Sequence, residues 1–280
     1  MQKQFEVAGA IEVDVRLASG EVEIDATLDG RVEVELVGHD EESHALVEAS
    51  TVELREHGAQ KLVVDVPQRK SGFGLGMFFG REGVSCRVRC PSGSSLTART
   101  KSADVTARGL LGGANVATAS GDVELERIDG SATVKSASGD VSAREVTGSV
   151  SVQTASGDVS VEIVGGPVTM TTASGDVEIG EAYDSVSVNT VSGDQHHRAV
   201  MQATVGAHSV SGDVEIGVRK GSRAWLDCNT VSGDTSSELE LSSDVPDGDG
   251  PLVEIRAKTV SGDIKITRAP APAGTMEVHA

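Results

Sequence analysis

Aromatic side chains are nearly absent from this sequence. Of 280 residues, four are Phe, one is Tyr and one is Trp. Basic residues are scarce too: 24 Lys and Arg stand against 43 Asp and Glu, a net charge of −19. So acidic a chain argues against nucleic acid as a partner and against electrostatic docking to anionic lipid. No apolar run approaches the roughly 18 residues that a membrane-spanning helix needs. None of signal-peptide length follows Met1, so a cytoplasmic location is expected. Cysteine is limited to Cys86, Cys90 and Cys228. Cys86 and Cys90 would share one strand face about 13 Å apart, too far for a disulfide. An odd count without CxxC spacing argues against a disulfide framework and against a zinc site. Buried apolar thiols are expected instead.

What is present is a repeat. Ser-Gly-Asp occurs eight times, ending at Asp122, Asp140, Asp158, Asp176, Asp194, Asp213, Asp234 and Asp263. The successive spacings are 18, 18, 18, 18, 19, 21 and 29 residues. A degenerate copy ends at Asp104. Inside each unit apolar residues alternate with polar ones, the period of a half-buried strand. One set follows each Asp, as in Val159/Val161 and Val177/Ile179. A second set precedes it by eight and six residues, as in Val150/Val152 and Val168/Met170. Glycine recurs every nine residues from Gly121 to Gly175, marking a corner before each strand. Two short strands and two corners per 18 residues make one coil of a β-solenoid. Coils stacked about 4.8 Å apart place equivalent residues in ladders.

The expected fold class is therefore all-β: a single-stranded, parallel β-helix-like solenoid of 18-residue coils with an N-terminal β cap. Residues 1–90 read as cap and first strands, with one short helix over 40–49. Residues 91–268 form the regular solenoid, and 269–280 a flexible tail.

The opening Phe5-Glu6-Val7, the early turn variant Glu21-Val22-Glu23-Ile24 and the Ser-Gly-Asp-Val-Glu-Ile units at 174–179 and 211–216 carry a family resemblance. So does the stretch from Val66-Pro67 to Cys90-Pro91-Ser92-Gly93-Ser94. The sequence resembles the bacterial adhesin-type β-strand-repeat proteins called toastrack domains (domain of unknown function 4097). The resemblance spans nearly the whole chain. It implies a repeat fold without an established activity and a connection to cell-envelope stress systems.

Several constellations are candidates for function. The carboxylates of Asp122, Asp140, Asp158 and Asp176 would stack and repel, so something must offset them. A row of calcium ions is one possibility. One Gly and one Asp per coil supply few ligands, and turn caps accepting backbone N–H groups are the simpler reading. Four residues before each Asp stands a hydroxyl, as in Thr154 and Thr172. Cross-strand hydroxyl bonding accounts for that row. After Asp194 the inward positions become Gln195 and His197, with His196 between them. This polar core break reads either as a metal or ligand cluster or as an outward bulge of the strand, and the 19-residue spacing favours the bulge.

The segment 71–83 holds Phe73, Leu75, Met77, Phe78 and Phe79 among closely spaced glycines. It is a candidate partner or membrane contact, or else a cap over the solenoid end. No cofactor and no catalytic residue is assigned. The expected function is a non-catalytic scaffold or adhesin-like protein-interaction module, with a protein partner or self-association. A calcium-binding solenoid is the alternative. A carbohydrate-active β-helix enzyme is a weaker one, because such enzymes need a positive groove with stacking aromatics.

Overall fold

The computed structural model describes residues 1–57, 59–68, 83–201, 203–239 and 251–269. The segment holding Phe73, Leu75, Met77, Phe78 and Phe79 and the tail from residue 270 onward lie outside them. The described residues are β almost throughout. The one helix, α1 (Glu41–Glu48), starts where Asp40 accepts the Ser43 N–H at 2.6 Å. That bond and the Ser43 hydroxyl hold the Asp40 carboxyl below its ordinary pKa.

The first half of the chain supplies β1 (Gln2–Glu6), β2 (Glu12–Leu28), β3 (Arg31–Gly38), β4 (Thr51–His57), β5 (Ala59–Asp65), β6 (Val84–Pro91) and β7 (Ser95–Leu111). Paired short strands follow, coil by coil. They are β8 (Gly113–Ala117) with β9 (Val123–Ile128), β10 (Ala132–Lys135) with β11 (Val141–Val146), and β12 (Val150–Ser156) with β13 (Val159–Val164). Next come β14 (Val168–Ser174) with β15 (Val177–Ala182), β16 (Val186–Ser192) with β17 (Gln195–Val200), and β18 (Thr204–His208) with β19 (Val214–Arg219). The last are β20 (Arg223–Ser232) with β21 (Thr235–Ser237), and β22 (Leu252–Ser261) with β23 (Ile264–Ala269).

Each of these paired short strands lies parallel to its equivalent one coil away. Val150 lies beside Ala132 and Val168, and Val159 beside Val141 and Val177. The expected solenoid is thus observed, and the inward rows bury completely: Val152, Val161, Val188 and Ile179 are all at most 2% exposed. Corners need glycine where coils pass closest. Gly157 has φ +118°, and a Cβ there would run into the Gly139 carbonyl of the adjacent coil.

Both ends depart from chain order. At the N-terminal end β2 lies between the β5/β6 layer and β7, so the first coil of the sequence is second in space. Asp14 ties it to both neighbours, 3.2 Å from Lys61 and 3.3 Å from Arg99. The outermost layer is closed by antiparallel strands: β4 on β5, β3 on β6 and β1 on β3. At the other end β18 and β19 pair with β22 and β23, and these in turn with β20 and β21. The last coil of the sequence is therefore next to last in space. This explains the polar residues at Thr235 and Ser237. They occupy inward positions of the terminal layer, where no described coil stacks beyond them.

Candidate interaction surfaces

The aspartates form the ladder that their spacing requires, but their bonds run between coils. The backbone N–H of Asp140 donates to Asp122 Oδ1 at 2.9 Å, that of Asp158 to Asp140 Oδ1 at 2.9 Å, and that of Asp176 to Asp158 Oδ1 at 2.8 Å. The series continues through Asp194, Asp213, Asp263 and Asp234 in the spatial order of the coils. Each carboxylate thus caps its neighbour's turn rather than its own. One charge-assisted acceptor per coil offsets the repulsion along the row. Among the described residues, no group of three or more His, Cys, Asp or Glu side chains converges as metal ligands would.

The hydroxyl row does what was expected of the aspartates, closing its own turns. Thr154 Oγ1 donates to the Ser156 carbonyl at 2.8 Å, and Thr172 Oγ1 to that of Ser174 at 3.1 Å. Thr118 Oγ1 accepts the Gly121 N–H at 3.0 Å. Toward the C-terminal end the row bonds across coils, as the cross-strand reading expects: Thr230 Oγ1 donates to the Gly262 carbonyl at 3.0 Å and Thr259 Oγ1 to that of Gly212 at 3.3 Å.

A third ladder runs beside these on the outside of the corner. Three residues before the turn Asp the chain carries Ala119, Ala137, Ala155 and Ala173, then Val191, Val210, Val260 and Val231. The valines stack in that order. Ser211 N–H bonds the Val191 carbonyl, Ser261 N–H bonds that of Val210, and Ser232 pairs with Ser261. Their exposures are 54%, 49%, 50% and 82%. Four β-branched apolar side chains in a row therefore face solvent on an acidic molecule. Sequence inspection passed over this signal, a change from Ala to Val at one repeat position.

A family model for the Toastrack DUF4097 domains matches residues 9–267. The chain belongs to this family. No curated protein matches it. Among solved structures, a "putative lipid binding protein" of Parabacteroides distasonis is 17% identical and superposes with TM-score 0.53, over 96% of each chain. A "putative adhesin" of the same organism is 14% identical with TM-score 0.47, covering 95% of this chain and 96% of its own. At 17% identity the likeness to the first of these speaks for the fold alone.

Within the toastrack coils the polar core break is real and lies inside. Gln195 and His197 keep the register of Val177 and Ile179 and are 1% and 0% exposed. The extra residue of the 19-residue unit falls after them, where the pairing of β17 with β19 slips between His197 and Val200. The expected outward bulge at Gln195 is thus corrected: β17 bulges only once both side chains are already buried. Gln195 Nε2 donates to Thr190 Oγ1 at 3.0 Å and to the His208 carbonyl at 2.8 Å. Among the described residues, neither ring nitrogen of His197 has a hydrogen-bond partner. Burial, with a smaller contribution from His196, pushes its pKa down to about 4. His196 points outward, its Nδ1 3.4 Å from a Glu215 carboxylate oxygen. No ligand cluster is assembled from the three.

Two grooves border these features. One of about 630 Å³ lies on the N-terminal sheet, where Arg87 and Arg89 are paired with Glu23 and Glu33 at 2.7 and 3.1 Å. The other, about 570 Å³, follows the ladder past Asp140, Asp158, Asp176, Asp194 and Glu178. Neither has an aromatic lining residue. Tyr183 is held in a corner network, donating to Glu181 at 2.9 Å under Arg219. Trp225 lies at the C-terminal end against Arg256. Cys86 and Cys90 are buried, which raises their thiol pKa values to about 12 and about 11.

Proposed function

We propose that this toastrack chain is a non-catalytic scaffold that binds a protein partner along its corner valine ladder. The carrying observation is the run Val191, Val210, Val260 and Val231, 49–82% exposed in three stacked coils and a terminal one. Isolated exposed valines are ordinary, whereas a contiguous apolar ridge rimmed by polar residues marks a contact surface. The repeat's hydroxyls and carboxylates support the non-catalytic reading, because backbone groups already engage them. The acidic groove beside the Asp ladder disfavours an acidic polysaccharide as substrate. The scaffold's proposed setting is a cell-envelope stress system, as the family resemblance implies.

The test replaces Val191, Val210 and Val260 with Ser together. All three are surface residues, so the fold and its melting temperature should persist. Cross-linked pull-downs from cells producing wild type and variant are compared by mass spectrometry. Loss of a specific partner from the variant is expected, and an unchanged partner set would retire the ladder as the contact. A deletion of 71–83 in the same experiment tests the segment of Phe73, Leu75, Met77, Phe78 and Phe79 as a second contact.

A further inference from the structure

Asp-Gly pairs occur at 29–30, 129–130, 247–248 and 249–250, and the last two lie outside the described residues. Glycine has no Cβ to shield its backbone nitrogen, so that nitrogen can reach the carboxyl of the aspartate before it. The two described pairs are held very differently. Asp29 and Gly30 alone connect β2 to β3, and both are exposed. Gly30 has φ +69°, and a Cβ there would meet nothing within 4 Å. Among the described residues the Asp29 carboxylate has no hydrogen-bond or ion-pair partner, and the Gly30 N–H has no backbone acceptor. The connection is anchored through the Gly30 carbonyl, which accepts the Val7 N–H at 3.1 Å. Asp129 and Gly130 sit in a coil corner instead. The Asp129 N–H donates to the Leu111 carbonyl at 2.7 Å, and its carboxylate accepts the Thr147 hydroxyl at 3.1 Å. The Gly130 carbonyl accepts the Gly148 N–H at 2.9 Å, and a Cβ on Gly130 would lie 2.2 Å from the Gly112 carbonyl oxygen. Coils on both sides therefore fix the main chain and the side chain of this pair.

We propose that Asp29 is a site of spontaneous isomerisation to isoaspartate, and that the coils around Asp129 protect the same dipeptide there. The Gly30 nitrogen attacks Asp29 Cγ of the protonated carboxyl. A C–N bond forms, the C–O bond to the hydroxyl breaks, and that hydroxyl leaves as water with the nitrogen's proton. The cyclic imide then takes up one water. Breaking its N–Cγ bond restores aspartate, whereas breaking the bond from nitrogen to the α-carbonyl carbon routes the main chain through Cγ. One water is released and one consumed, and nothing is oxidised or reduced. The product carries a free α-carboxylate, the group that protein isoaspartyl methyltransferases esterify. Its main chain is longer by one methylene in a connection of only two residues. That connection sets the register of β3 on β6, where Val34 lies across from Val88 and Leu36 from Cys86. The modification therefore strains the closing layer of the N-terminal end. The inference is independent of the valine ladder, which shares no residue with this connection.

The test holds the folded full-length protein at mildly acidic pH and physiological temperature for several weeks, beside a sample in urea. Peptides from both are labelled by an isoaspartyl methyltransferase with S-adenosylmethionine, and the labelled residue is located by electron-transfer fragmentation. In the folded protein isoaspartate should form at least about tenfold faster at Asp29 than at Asp129, a barrier difference of about 1.4 kcal/mol. In urea, where the coils are gone, the two pairs should react at similar rates. Asp29→Glu keeps the charge but would have to close a larger ring, and should remove the label from this peptide. Equal rates at Asp29 and Asp129 in the folded protein would overturn the proposal. So would a folded Asp29 that stays unlabelled while the urea sample reacts.

Discussion

At the scale of single residues, His197 is where this core departs most from its own rule. Its in-register neighbours are Ile179 and Ile216, and its two ring nitrogens find no described partner. A buried imidazole without hydrogen bonds is held neutral, and the unfolded chain has the higher proton affinity. Between its ordinary pKa of 6.5 and the folded value of about 4, the unfolded state therefore binds more protons, and stability falls as pH falls. Integrated over that window the loss is about 3 kcal/mol. His197→Ile restores the apolar ladder with a side chain of similar size. It should stabilise the protein by about 1 kcal/mol at neutral pH, where only the unmade hydrogen bonds are removed. The gap from wild type should then widen toward pH 4. Urea unfolding at the two pH values checks this, and a gap that is constant with pH would show that His197 is not the titrating group. The position was legible in the sequence as a polar break. Its burial was not, because a one-residue insertion can sit on either side of the side chain it displaces.

At the scale of the element, the turn ladder separates two roles that the residue pattern alone leaves interchangeable. Asp and Thr recur with the same period, and each is a familiar turn cap. Reach distributes the bonds. The Thr hydroxyl stands within its own corner, as at Thr154 and Thr172, while the Asp Oδ1 reaches the N–H of the following coil. An amide oxygen can make the Asp bond equally well. Replacing Asp122, Asp140, Asp158 and Asp176 together by Asn should keep every N–H acceptor and remove a row of like charges. Neighbouring charges in such a row are about 4.8 Å apart. At that distance in water each pair repels by about 1 kcal/mol, and salt screens it. The expected result is a higher melting temperature for the Asn variant at low salt, converging with wild type at high salt. A lower melting temperature would mean that the negative charge itself is needed, as it would be if the row held calcium ions. Coil length, inward rows and corner glycines were all readable from the spacing, since each follows from steric periodicity. The valine ladder shares that period and went unread, because exposure depends on which side of a corner a residue takes.

At the scale of the whole molecule, the order of the coils is the feature that periodicity cannot specify. The coil at 252–269 carries the same Ser-Gly-Asp signature as its neighbours, so the residue pattern fits it to any layer. Its place between β18/β19 and β20/β21 follows from how the chain returns, and the 29-residue spacing before Asp263 was the only trace. The same holds for β2, placed between β5/β6 and β7. Both regular end coils of the sequence are thus clamped on two sides, where a solenoid wound in chain order would leave them free to fray. In such a solenoid, loss of the last coil removes one layer and leaves the rest intact. Here, ending the chain at residue 251 removes β22 and β23, and β20 and β21 lose their only described strand partners. Two layers should fail together. Limited proteolysis with mass spectrometry should find cleavage throughout 220–239 in the truncated protein, at positions that resist in the full-length chain. Resistance of 220–239 after truncation would mean that β20 can dock directly on β18, and that the interleaved order is one of two interchangeable windings.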